Sequence, residues 1–100
     1  MGKKIMPMPP PGELLQSEFM EPLGISQNAL ARAMKVPPRR INEIIHGKRA
    51  ITADTALRLG RVLGTSAEMW MNLQNHYEME IAKEKVGDII GILKPLAKSA

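Results

Sequence analysis

Arg39, Arg40, Asn42 and Glu43 fall within five consecutive positions, and Ile41, Ile44 and Ile45 are threaded among them. The isoleucines recur at i, i+3 and i+4, which is one face of an α-helix, so the polar side chains take the opposite face. An arginine can bond O6 and N7 of guanine in a planar fork, asparagine can pair with adenine, and glutamate can accept from the cytosine amino group. The chemistry such a face offers is the reading of base edges. Arg39 and Glu43, four residues apart, share a stripe and are the first choice for that role, whereas Arg40 is rotated by about 100° and is placed for a phosphate or for solvent. Gln27, in the first turn of the preceding helix, and Lys48 with Arg49, just past this one, are placed to grip the sugar-phosphate backbone on either side. His46 would cap the helix or touch a phosphate.

Charge supports that direction. Between Arg32 and Arg61 lie eight basic residues against two acidic ones, a local balance of +6, while the rest of the chain carries −2. A basic field concentrated in one third of a small domain points to a polyanion, most often nucleic acid.

Other chemistries find little footing. With no cysteine there is no disulfide framework, thiolate zinc cluster or thiol nucleophile. His46 and His76 lack the spacing of a metal pair, so no metal and no cofactor are expected. Ser26, His46 and Asp54 are joined by no Gly-x-Ser-x-Gly elbow, and no glycine-rich phosphate loop is present. The expectation is a protein that is not an enzyme.

These side chains need a scaffold, and the pattern predicts one that is all-α. Residues 1–10, ending in prolines, read as an extended arm. A first helix enters at Pro11-Gly12-Glu13, with Leu15, Phe19 and Leu23 on one side, and should stop near Met20 or Glu21 ahead of Pro22. Ser26 caps a second helix that runs to about Met34, with Leu30, Ala31 and Met34 facing inward. After Lys35-Val36-Pro37 the third begins at Pro38 and is closed by Gly47. Thr52 caps a fourth, whose contact positions are Ala56, Leu57, Leu59, Gly60 and Leu63 before Gly64. Ser66 caps a fifth with an apolar stripe of Trp70, Leu73, Tyr77 and Ile81, ending near Lys85. Trp70 is expected in the core rather than against a ligand, with Met20 and Met34 as gap fillers. Ile89, Ile92, Leu93 and Leu96 would form a further short amphipathic segment.

Two short helices joined by about four residues, the second ending in Gly47-Lys48-Arg49, have the layout of a helix-turn-helix. The run Ser26-Gln27-Asn28-Ala29-Leu30-Ala31, followed by the stretch from Val36-Pro37-Pro38-Arg39-Arg40 through Ala56-Leu57-Arg58-Leu59, closely resembles the phage-repressor-like (XRE) helix-turn-helix family. Pro11-Gly12-Glu13 and Met69-Trp70-Met71-Asn72-Leu73-Gln74 extend the likeness to the HigA/VapI antitoxin group, over about residues 8–85. The resemblance implies a five-helix DNA-binding fold, a homodimer, control of its own operon, and neutralisation of a small RNA-cleaving toxin of the HigB kind. In the wider family the position of Gln27 bonds a phosphate, and those of Pro38, Arg39 and Glu43 face the groove. Prolines at 37 and 38 depart from that pattern. They cannot donate hydrogen bonds, although Pro38 can pack on a thymine methyl group, so weight shifts to Arg39 and Glu43.

The sequence therefore predicts an arm (1–10), a helix-turn-helix domain (11–85) and an apolar extension (86–100) that packs on this domain, on a second copy or on a toxin, with dimerisation the first choice. The base readers are Arg39, Glu43, Pro38 and Asn42, and the phosphate-binding residues are Gln27, Arg40, His46, Lys48 and Arg49. The partners are a palindromic double-stranded operator, a second copy and a toxin, in the cytoplasm, with no membrane. The competing readings are a stand-alone regulator without a toxin and a protein-interaction module that has lost DNA binding.

Overall fold

The computed structural model describes residues 9–97, and every regular element among them is helical. Helix α1 comprises three contiguous segments: Pro11–Leu14, a π-helical stretch Leu15–Met20, and Glu21–Leu23. It is followed by α2 (Gln27–Met34), α3 (Pro38–Ile45), α4 (Ala53–Leu63) and α5 (Ala67–Ile92). Pro10 is extended and Pro11 takes the first helical position, where a missing N–H leaves no bond unmade.

The expected stop at Met20 or Glu21 is overturned, because α1 stays helical through Pro22 to Leu23. Over Leu15–Met20 the turns widen, and the Glu21 N–H reaches back five residues to the Gln16 carbonyl. A widened turn displaces the carbonyl that the Pro22 ring would strike. It also rotates the last turn of α1, so Leu23 leaves the line of Leu15 and Phe19 and stands exposed.

Caps set the remaining boundaries. Ser26 Oγ accepts from the Ala29 N–H at 3.0 Å, Thr52 Oγ1 from Thr55 at 3.4 Å, and Ser66 Oγ from Met69 at 3.0 Å. Each satisfies a donor that the first turn leaves free. Lys35 ends α2 in the left-handed region with φ of 60°, and the Val36 N–H then donates to the Ala31 carbonyl at 3.0 Å. Gly47, with φ of 73°, turns the chain out of α3.

The core joins Leu15 and Met20 of α1, Leu30, Ala31 and Met34 of α2, Ile41, Ile44 and Ile45 of α3, Ile51, Ala56 and Leu59, and Trp70 of α5. Met20 and Met34 fill it as expected. Trp70 is fully buried, its ring 5.3 Å from that of Phe19, and its Nε1–H donates to Thr65 Oγ1 at 2.8 Å. Gly12 lets α1 lie directly on α3: a Cβ there would overlap the Ile44 carbonyl group.

Three expectations about α4 and α5 fail. Leu57 is exposed, lying one position off the face formed by Ala56, Leu59 and Gly60. On α5 the expected stripe holds at Trp70 and at Leu73, which packs against the core, but Tyr77 is only half-buried and Ile81 is exposed, while Gln74 takes the interior place. Its Oε1 accepts from the Ile51 N–H at 2.9 Å and its Nε2 donates to Glu78 Oε2 at 2.8 Å, so both ends of a buried amide are satisfied. Finally, α5 does not stop near Lys85 but runs through Gly87 to Ile92, so no separate segment follows. A helical glycine costs only about 1 kcal/mol, too little to stop a helix already running through the good helix formers Ala82-Lys83-Glu84-Lys85. This last part of α5 leaves the domain, and Val86, Ile89, Ile90, Ile92 and Leu93 are exposed. Among the described residues no helix is long and apolar enough to cross a membrane.

Candidate nucleic-acid interface

Helix α3 sits in the fold through its isoleucines, all three buried, which turns Pro38, Arg39, Asn42 and Glu43 outward. Its first turn begins at Pro38, whose fixed φ suits that position. Arg39 has 81% of its side chain exposed, and its Nε lies 3.7 Å from Glu43 Oε2. The shared stripe expected for these two is present.

Glu43 has a second and closer partner. Arg49, in the loop after α3, places both Nε and Nη2 at 2.8 Å from Glu43 Oε1. The loop is held for this by the Lys48 N–H, which donates to the Glu43 carbonyl oxygen at 2.8 Å. Arg49 therefore sits beside the base-facing stripe in the unbound chain, joined to it through a carboxylate.

Gln27 and Asn42 also meet. Asn42 Nδ2 donates to Gln27 Oε1 at 3.2 Å, tying the first turn of α2 to the middle of α3. His46 caps α3, its Nδ1–H donating to the Asn42 carbonyl at 2.8 Å. Lys48 stands exposed at the flank.

Arg40 points away from this group. Its Nη1 donates to Asp54 Oδ1 at 3.4 Å, and the same oxygen accepts from Arg58 Nε at 2.7 Å. Arg58 Nη1 in turn donates to the Met34 carbonyl at 2.8 Å, at the end of α2. The hydrogen bond from Arg58 holds the Asp54 carboxyl below its usual value against the opposing cost of desolvation, and the positive charge of Arg58 and Arg40 adds to the lowering. Asp54 and Arg58 thus link the end of α2 to the start of α3, a task no reading of single residues assigned to them. Their i, i+4 spacing on α4 was the available signal.

An anchored helix with an outward polar face, flanked by cations and linked to the helix before it, is the geometry that enters a major groove. Residues 17–70 match the helix-turn-helix family. The chain is 35% identical to antitoxin HigA-1 of Vibrio cholerae over 85 residues, covering 85% of this chain and 80% of that protein. The chain belongs to the HigA antitoxin group of the helix-turn-helix family. To virulence-associated protein I of Dichelobacter nodosus it is 48% identical over 99 residues, covering 99% of this chain and 91% of the relative. The fold matches that of the Pseudomonas aeruginosa antitoxin HigA solved with the higBA promoter, with a TM-score of 0.85 and 44% identity. That likeness covers 90% of this chain and 99% of the other. The HigA-group frame thus spans nearly the whole molecule, α5 included.

Proposed function

We propose that this chain is a sequence-specific DNA-binding repressor and the antitoxin of a two-gene module, acting in the cytoplasm by occupancy rather than catalysis. The observation that carries this reading is α3, whose isoleucine face is locked into the core while Arg39 and Glu43 stand together on its free face. The likeness to an antitoxin solved with a promoter supports it.

In this reading Arg39 forks onto a guanine, Glu43 accepts from a cytosine amino group and Pro38 packs on a thymine methyl. Asn42 gives one amide hydrogen to Gln27 and keeps its carbonyl for the groove. Gln27, accepting through Oε1, keeps its own NH₂ for a phosphate, so a base-facing and a backbone-facing side chain are set as one unit. Lys48 and His46 hold the backbone on either side, while Arg40, engaged by Asp54, braces α3 against α4 instead of taking the phosphate the sequence assigned to it.

Residues 11–85 form the DNA-binding unit; the expected arm 1–10 lies, apart from Pro9 and Pro10, outside the described residues. The extension 86–100, with its exposed isoleucines, is covered by a second copy. One chain presents one recognition helix, so a palindromic operator requires two of them about 34 Å apart. The family supplies the second partner, a small RNA-cleaving toxin whose synthesis the bound repressor limits.

A reporter driven by the promoter upstream of this chain's own gene tests the reading. Wild type silences it and Arg39→Ala releases it. A reporter indifferent to wild type contradicts the proposal.

A further inference from the structure

We infer that Arg49 is a positioning residue for base discrimination, acting through Glu43, rather than a phosphate contact. The inference rests on the DNA-binding reading above and assigns Arg49 a place within it.

Glu43 projects from α3 on a flexible stem, and a carboxylate free to rotate cannot choose well between an amino group and a carbonyl on a base edge. Two Arg49 nitrogens converge on one oxygen, Oε1, at 2.8 Å each, while Oε2 faces Arg39 Nε at 3.7 Å. Oε1 is thus saturated by strong charge-assisted bonds, which leaves Oε2 as the oxygen free to meet a base. This fork on one oxygen pins Oε1 and so restricts the rotation of the carboxylate about its stem. A residue whose guanidinium is spent on a neighbouring carboxylate has little positive charge left for a phosphate. The loop geometry fits this task, since the Lys48 N–H bond to the Glu43 carbonyl holds the backbone beside Arg49 at the foot of the same glutamate. Lys48, one residue earlier and exposed, remains free to take the phosphate.

Fluorescence anisotropy with the full chain separates the two roles. Each protein is titrated against the native operator duplex and against duplexes substituted one base pair at a time, over a range of salt. For Arg49→Ala the preference at the base pair read by Glu43 should fall about tenfold, with the salt slope unchanged. Arg49→Lys keeps the charge but loses the fork, and should lose the same preference. In a Glu43→Gln background, Arg49→Ala should add nothing further.

The inference is overturned if Arg49→Ala weakens all duplexes equally and lowers the salt slope by about one, as loss of a phosphate contact does. It is equally overturned if Arg49→Lys restores full discrimination. A wild-type chain that does not prefer its operator would instead sink the underlying DNA-binding reading, a result visible before any variant is made.

Discussion

Arg58 fastens two helices at once: its Nε donates to Asp54 Oδ1 at 2.7 Å while its Nη1 donates to the Met34 carbonyl at 2.8 Å. Asp54 passes the connection to Arg40 on α3 at 3.4 Å. The end of α2, the start of α3 and the first turn of α4 are therefore held by one carboxylate between two guanidiniums.

That arrangement makes a pH prediction with a definite sign. The Asp54 pKa is lowered in the folded chain, so its contribution to stability is complete above the unfolded-state pKa and is lost as pH falls through the folded one. Thermal melts of wild type and Asp54→Asn should differ at neutral pH, and the gap should begin to close as pH falls past about 4 and vanish only below the lowered folded pKa. A gap that persists or widens in acid would mean the carboxylate charge is not what ties these helices.

Gly12 tests the contact between α1 and α3. A methyl group there meets the backbone of Ile44 and Ile45 rather than a side chain that can turn aside. Gly12→Ala should lower stability by at least about 2 kcal/mol in urea unfolding, the helix-propensity gain being outweighed by overpacking. An unchanged midpoint would show that α1 can ride up without loss, and that α3 is not braced from behind.

The extension of α5 tests the assembly. Removing residues 88–100 takes away Ile89, Ile90, Ile92 and Leu93, all exposed and none packed on the domain. In sedimentation the truncated chain should be monomeric at concentrations where the full chain is a dimer, with operator affinity falling alongside. A truncated protein that remains dimeric would assign the tail another role.

Much of the fold was legible because its boundaries are written locally. Ser26, Thr52 and Ser66 cap as their side chains dictate, and Gly47 and Gly64 close helices in the left-handed region. The isoleucine spacing marked the buried face of α3 because period 3.6 leaves little choice there. What could not be read depends on neighbours distant in sequence or on small energy differences. Pro22 looked like a stop because the rule assumes regular α turns, and a π-helical stretch evades it. The interior place of Gln74 was not legible, because only the folded chain brings the Ile51 N–H to it across 23 residues.

The interface was legible in part for the same reasons. Arg39 and Glu43 share a stripe by helix geometry alone, and the structure places them so. The bonds from Arg49 to Glu43 and from Asn42 to Gln27 span a loop and a helix crossing, whose conformations no spacing rule supplies. Read one at a time, Arg49 resembles any cation beside a recognition helix. Its role is visible only in the atoms it faces.

The central claim is that α3 reads sequence while its flanks supply charge. The most direct measurement is an anisotropy titration of the full chain against duplex from its own upstream region and a scrambled duplex, at low and high salt. Arg39→Ala and Lys48→Ala are titrated alongside. Wild type should prefer the native duplex by about 10³ or more, with the preference persisting at high salt. Arg39→Ala should lose about 1–3 kcal/mol at one base position, whereas Lys48→Ala should weaken both duplexes alike and lower the salt slope by about one. Equal, salt-sensitive binding to both duplexes, or two variants that behave identically, would contradict the account.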